Sequence, residues 1–410
     1  MNSGRFALIS CICSVLFFGE AIAEEKEIIL VEEESLIDDE LIALGEVLSR
    51  SDAIPEESLE DATDHYLEGY IQALIDMHFY EFGVCVKVDG TTVYLSNLPN
   101  NALIKNSIIA FVEDLPGVCT VCVVECICDP ELVKEETYMV KPQVGGVWFP
   151  QQTVLFQPLI ADPRQPMYYA EYRAGDDIMG SNTIAVALGD EFPIFRWHNV
   201  WPAHGDLQIG IQAGIWSVFN MESPKDGEFA ELVNTDYLLG FPLSYAFDAW
   251  SMRFMLYHIS THLGDEYLVN DPRRIDARKN PSYEVIEWIT SYQLTTNYRF
   301  YLGPGIIIHS DSSFPMKTFY LKYGFELRML GRKHHYHKLY GTPFLAVNAQ
   351  NWQVNHWQFD FTSILGYEWS KLQGIGRKLR VYAKYRNGYG EGQFFKMRTD
   401  FFGFGFSWGF

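Results

Sequence analysis

Lysine and arginine are scarce in the first third of this chain, and long apolar runs are scarce almost everywhere. Residues 24–150 hold 27 Asp/Glu against 6 Lys/Arg, whereas residues 151–410 hold 25 against 24. Binding a phosphate backbone needs a basic face, so the acidic front excludes nucleic acid as a partner. Beyond residue 23 no run reaches the roughly 18 apolar residues of a membrane-spanning helix. A Gly-rich phosphate loop, paired C-x-x-C zinc spacing, a G-x-S-x-G elbow and H-E-x-x-H are all missing, so no cofactor or resident metal is expected. The 410 residues are 48% hydrophobic, 15% aromatic and 20% charged. That composition excludes collagen-like, coiled-coil and wholly disordered chains.

What is present begins with an export signal. Arg5, the apolar stretch from about Phe6 to Phe18 and Ala21-Ile22-Ala23 form the basic, apolar and small-x-small parts of a secretory signal peptide over residues 1–23. Leu8-Ile9-Ser10-Cys11 also fits a lipoprotein box, but too little apolar sequence precedes it, and cleavage after Ala23 is favoured. Five cysteines then remain, Cys85, Cys119, Cys122, Cys126 and Cys128, all in the acidic half. An odd count in an exported chain leaves at least one thiol free or joined to a partner, with disulfides among the rest as one reading and plain burial as another.

Residues 24–61 read as an acidic leader, solvated and mobile. From residue 62 the pattern is ordered. Tyr66, Tyr70, Leu74 and Met77 recur at helical spacing; Phe82, Val84, Val86 and Val88 alternate; Asp89-Gly90 turns; and Val93-Tyr94-Leu95 returns. A second helix through Ala102, Ile108, Ile109 and Val112 ends at Pro116-Gly117, and a strand follows over Val118–Val124. This helix–strand–strand–helix–strand order, with VKVDGTTVYLSN and DLPGVCTV, resembles the BON module of exported bacterial proteins over residues 62–128. Asn97 stands where that module commonly has glycine. The resemblance implies a binding role toward an envelope protein or lipid partner and brings no catalytic residue.

Residues 129–152 form a Pro- and Gly-marked linker. Beyond it, side chains alternate with the two-residue period of a β-strand. Phe402, Phe404, Phe406, Trp408 and Phe410 share one face of the last segment, against Gly403, Gly405, Ser407 and Gly409. Phe319, Leu321, Tyr323, Phe325 and Leu327 oppose Thr318, Tyr320, Lys322, Glu326 and Arg328 in the same manner. Long aromatic faces backed by charges of both signs fit a membrane barrel, apolar toward lipid and polar toward the lumen, better than a periplasmic sandwich or lipocalin-like fold. About twelve strands are expected within 153–410: 165–174, 182–196, 205–218, 235–248, 250–263, 283–293, 298–309, 317–330, 339–349, 355–369, 377–388 and 399–410. With Phe410 periplasmic, loops 219–234 and 264–282 lie outside and the tight turns near 249 and 294–297 lie inside. Pro242, mid-strand, predicts a bulge. FGFGFSWGF resembles the C-terminal signal of outer-membrane barrels, which makes Phe404, Phe406, Trp408 and Phe410 the assembly signal and the barrel-assembly machinery a partner. FQPLIADPRQPMYYAEYR and YHISTHLGDEY resemble an uncharacterised domain-of-unknown-function family of bacterial envelope proteins.

Two sets of side chains could carry function. His258-x-Ser260 places an imidazole and a hydroxyl on one face of the strand 250–263, the face of Met252, Phe254 and Leu256, hence toward lipid near the outer end. Glu284 on the next strand, or Glu266, would orient the ring. The pair resembles outer-membrane phospholipase and lipid A deacylase families, with Thr261-His262 standing where Asn-Gly often follows. Against this, His and Ser near a strand end commonly meet headgroups or loops. The second set, Asp360, Glu368, Lys378, Arg380, Lys384 and Arg386, points into the lumen. It either pairs across strands and fills the barrel or lines a narrow path for anionic solutes; a dozen strands favour filling. The His334-His335-Tyr336-His337 cluster reads as a basic turn before a metal site. The chain is therefore expected to be a porin-like outer-membrane protein, its N-terminal part periplasmic, with a structural, binding or narrow-channel role. Lipid esterase chemistry is the alternative.

Overall fold

The computed structural model describes residues 56–124, 145–151, 153–222, 230–271, 279, 281–329, 339–372 and 374–410. The signal peptide, most of the leader, Cys126, Cys128 and the His334–His337 cluster lie outside the described residues. The chain divides into two units, Met1–His65 and Tyr66–Phe410, and the second holds both a small α+β module and a barrel.

The module has the order that the sequence pattern predicts: α1 (Glu56–Phe79), β1 (Cys85–Asp89), β2 (Thr92–Ser96), α2 (Ala102–Glu113) and β3 (Thr120–Val123). Helix α1 starts within the stretch read as leader. Its buried face also differs from the expected one: Ile71, Leu74, Ile75 and Phe79 are buried, whereas Tyr66 and Met77 are exposed. Tyrosine and methionine tolerate water better than isoleucine and phenylalanine, so the more apolar stripe wins the core. Asn101 caps α2 by accepting from Ile104 N at 3.1 Å. Asn97 has φ +58°, the left-handed region that favours glycine, and asparagine is among the few other residues that tolerate it.

Strand β4 (Gly146–Trp148) leads into the barrel, whose twelve strands are β5 (Tyr168–Asp176), β6 (Gly180–Val200), β7 (Gly205–Asn220), β8 (Glu231–Phe247), β9 (Trp250–Leu263), β10 (Tyr283–Gln293), β11 (Tyr298–Ser310), β12 (Phe319–Arg328), β13 (Tyr340–Trp352), β14 (Phe359–Ser370), β15 (Lys378–Tyr389) and β16 (Arg398–Gly409). Each pairs antiparallel with the next, and β16 pairs with β5 from Phe402↔Ala174 to Trp408↔Tyr168, which closes the sheet. Closure leaves the wall no free edge. Pro242 makes no bulge: β7–β8 keeps one register on both sides of it, with Ile209↔Leu243 and Gln212↔Gly240. The bulges fall elsewhere, between Pro193 and Phe195 among other places.

Residues 153–167, which the sequence reading puts in the barrel domain ahead of and at the start of its first expected strand (165–174), run inside the wall. Val154, Leu155, Phe156, Leu159, Ile160 and Ala161 are all buried. Arg299 donates to the carbonyls of Gln157 (2.7 Å) and Pro158 (2.9 Å), Ile160 N donates to Glu326 (3.1 Å), and Lys322 pairs with Asp162 at 2.7 Å. Arg164 pairs with Asp236. The guanidinium groups of Arg253 and Arg299 lie 4.8 and 5.1 Å from the centre of the Phe156 ring. This segment is a plug.

At the end marked by Phe410, the module completes its core with barrel residues, Ala246, Leu372 and Ile375 joining Ile71, Phe79 and Ile108. The junction is locked by Arg196, which donates from Nη1 to Glu81 Oε2 (2.7 Å) and from Nη2 to Thr153 O (2.8 Å), with both charged side chains fully enclosed.

Candidate functional site

The outward and inward faces of the strands carry different chemistry, and each holds one of the two candidate sets. On the inward face Asp360, Glu368, Lys378, Arg380, Lys384 and Arg386 are all buried. Arg380 Nε donates to Glu368 Oε2 (3.1 Å), Lys384 to both oxygens of Glu171 (3.0 and 3.1 Å), and Arg386 to Asp360 (3.2 Å) and Thr362 (3.0 Å). Lys378 donates to the carbonyl of Gly376 at 3.2 Å. From sequence, Lys322, Glu326 and Arg328 fall on a polar face but outside the candidate set, and Glu287 and Arg299, which complete this network from other strands, are missed. Glu287 bridges Arg253 (2.9 Å) and Lys322 (2.8 Å), and Glu326 meets Arg299 and Arg328. Parity along β10 and β12 places both glutamates inward, so alternation carried a signal for them.

The lumen is filled. Two interior voids beside the plug, one at Phe156 and Gln165 and one at Arg164 and Asp236, measure about 10 Å³ each, room for about one water molecule. A larger cavity of about 110 Å³ lies at the module end among Ser107, Tyr340, Arg328 and Glu368. At the other end, the β15–β16 connection turns into the barrel, where buried Glu391 meets Arg173 at 3.3 Å and Phe394 packs with Trp216 and Leu238. Burial pushes the Glu391 pKa up, but Arg173 and Arg164 outweigh it and hold the carboxyl down at about 2.

On the outward face, β9 and β10 pair His258 with Glu284 directly, and β10 and β11 pair Glu284 with His309. The Glu284 carboxylate accepts from His258 Nδ1 at 2.8 Å and from His309 Nδ1 at 2.6 Å. A carboxylate only accepts, so each ring donates from Nδ1 and Nε2 is the nitrogen that Glu284 leaves unengaged. Ser260 stands two residues beyond His258 on the same outward face, half-buried, with Phe254 and Leu256 exposed below. Glu266 is exposed in the first turn of the short helix α3 (Asp265–Asn270); of the two candidate carboxylates, Glu284 is the one hydrogen-bonded to His258. His309 was not foreseen. Its signal was its place opposite Glu284 across one ladder, which needs the β10–β11 register, including a shift between Glu284 and Val285.

Phe404, Phe406 and Trp408 face outward and are exposed, but Phe410 does not continue that row. Gly409 has φ +152°, which breaks the alternation and turns the last ring inward beneath Arg377, whose guanidinium carbon lies 4.5 Å from the ring centre. Among the described residues, Cys85, Cys119 and Cys122 form no disulfide. Among the described residues no group of three His, Cys, Asp or Glu is placed to hold a metal ion.

No curated protein matches this chain. Among solved structures, the outer membrane phospholipase (OMPLA) dimer of Salmonella typhi with bound calcium is 16% identical, with 60% of this chain and 93% of that one covered and a TM-score of 0.41. Outer membrane phospholipase A of Escherichia coli is 14% identical, covering 63% and 98%, with a TM-score of 0.42. The β domain of the Bordetella autotransporter BrkA is 11% identical, covering 60% and 99%, with a TM-score of 0.30. Likenesses this remote carry nothing about chemistry. Residues 81–410, from the glutamate that locks the module to the end of the last strand, match the family described as "Protein of unknown function (DUF1207)", and the chain belongs to that family.

Proposed function

We propose that this chain is an outer-membrane barrel that conducts no solute and holds a BON-like binding module against the periplasmic rim. The observation that carries the reading is the plug. Residues 153–167 occupy the lumen with apolar side chains and tie themselves to the wall through Arg299, Lys322 and Asp236. A protein that moves solutes keeps a path; beside the plug the voids among the described residues hold about one water each, and the cavity of about 110 Å³ lies at the module end. The work is then done at the surfaces, with the module meeting an envelope protein or lipid and the wall meeting outer-membrane lipid. The outward row of Phe404, Phe406 and Trp408 is the surface that the barrel-assembly machinery would read. Planar bilayers test the closed lumen: the intact chain should give no steady conductance, and ohmic steps from it would overturn the reading.

The Glu284–His258 hydrogen bond favours a second reading, an esterase acting on membrane lipids. Glu284 fixes the ring tautomer, His258 Nε2 takes the Ser260 proton, and Ser260 Oγ attacks the ester carbonyl. The alcohol then leaves with that proton, and water releases the fatty acid from Ser260. Fatty-acid release in detergent should fall by about 10³-fold or more in Ser260→Ala. Equal release from the variant, or none from the native protein, would remove this reading.

A further inference from the structure

We propose that β4 and the β6–β7 turn form an aromatic anchor that seats the module end of the molecule in the headgroup–acyl boundary of the periplasmic leaflet. The inference rests on the barrel's being in the membrane. Its β4 part lies in the segment that proline and glycine marked as a linker.

Strand β6 is the longest of the wall, and β4 pairs with its far end through Gly146↔Trp197, Val147↔Arg196 and Trp148↔Phe195. Two further bonds extend the pairing, His198 N to Gly145 O (2.8 Å) and Phe149 N to Ile194 O (2.9 Å). Residues opposite one another share a face. Val147 therefore follows Arg196 inward to the module lock, and Trp148 follows Phe195 outward. The outward rings pack on each other edge to face, with Trp148 and Phe195 centroids 4.7 Å apart and Phe195 and Trp197 4.6 Å apart. Position 146 is built for this: a Cβ on Gly146 would lie 2.5 Å from Phe195 Cζ, so any larger residue would displace the ring.

Such packing would ordinarily bury aromatics, yet Trp148 is 64%, Phe149 59% and Trp201 81% exposed. Large exposed rings packed together, as Trp148 and Phe149 are with ring centres 5.9 Å apart, mark a contact surface, and Trp201 adds an exposed ring in the β6–β7 turn. Its occupant follows from continuity. Across the register shift between Pro193 and Phe195, pairing with Ile209, Ile211 and Ile215 keeps Phe192 and Leu188, both exposed, on the face of Phe195, with buried Asp190 between them paired to Arg377. The cluster stands at the end where Trp250 and Trp408 are also exposed outward. Tryptophan, with an apolar body and one N–H donor, is the residue that belongs at a membrane–water boundary. A lipid surface is therefore the partner whose chemistry fits, and the anchor would fix the tilt of the module beneath the bilayer.

Fluorescence quenching on the full chain in phosphatidylcholine vesicles tests this. The contributions of Trp148 and Trp201 are obtained by difference from Trp148→Phe and Trp201→Phe, with Trp288→Phe reporting the exposed mid-wall ring. Lipids brominated near the glycerol should extinguish the Trp148 and Trp201 signals, and aqueous iodide should leave them. Signals reached by iodide but untouched by bromine would overturn the anchor if Trp288 is still quenched by deeper bromines. Signals inert to both quenchers would also overturn it, in favour of a protein occupant. Failure to quench Trp288 at any bromine depth would instead remove the membrane reading on which the anchor rests.

Discussion

Along β16, Phe402, Phe404, Phe406 and Trp408 are 67, 63, 57 and 46% exposed, while Phe401 and Ser407, between and beside them, are 3 and 1% exposed. The two faces of this one strand obey opposite rules. Toward the lumen, charged groups are buried, and several buried acids have cations within hydrogen-bond reach, as Glu287 has Arg253 and Lys322. Away from the lumen, rings stand free. In water that arrangement would be costly on both sides, with apolar area unburied and charges desolvated. In hydrocarbon the outer face costs nothing further, and the enclosed network provides the partners that desolvated ions require. The comparison teaches that the solvent, rather than residue count, decides which face of the sheet is the inside.

The largest effect should come from unbalancing the inner face. Glu287→Ala leaves Arg253 and Lys322 without their shared acceptor and should cost about 3–5 kcal/mol, read as a lowered urea midpoint for unfolding from vesicles. An unchanged midpoint would mean that water reaches the interior. A cation on the outer face comes next: Phe404→Arg should cost about 2–4 kcal/mol in the same titration, where a wall facing water would tolerate it. The smallest effect belongs to the module, which obeys the ordinary rule of apolar residues inside. His78 is buried there, its ring 5.3 Å from that of Phe111. Burial, then the Lys371 ammonium, lowers its pKa below the ordinary 6.5. The neutral ring is the form that folding favours, so this contribution is complete above the unfolded pKa and is lost as pH falls through and below it. Module stability should therefore decline as pH falls below about 6.5, and His78→Phe should flatten that decline.

Much of the barrel was legible because a two-residue period survives any register. Twelve alternating segments gave twelve strands with ends displaced by a few residues. What alternation cannot encode stayed hidden. The plug has no period: Pro158, Pro163 and Pro166 interrupt it, and its partners Arg299, Lys322 and Asp236 lie far along the chain. The Glu81–Arg196 lock joins residues 115 positions apart, and nothing local in either segment announces it. The inward turn of Phe410 depends on one glycine dihedral. At the outer site, parity put His258, Ser260 and Glu284 on one face, but the ladder alone made Glu284 the acceptor for two imidazoles.

The central claim is that the ring-bearing face is embedded in the outer membrane as a closed barrel. Envelope fractions washed in alkaline carbonate, then run on gels with and without boiling, test it most directly. The account predicts that the chain stays in the membrane pellet and migrates differently before boiling than after it. Release into the wash with a single mobility would contradict it.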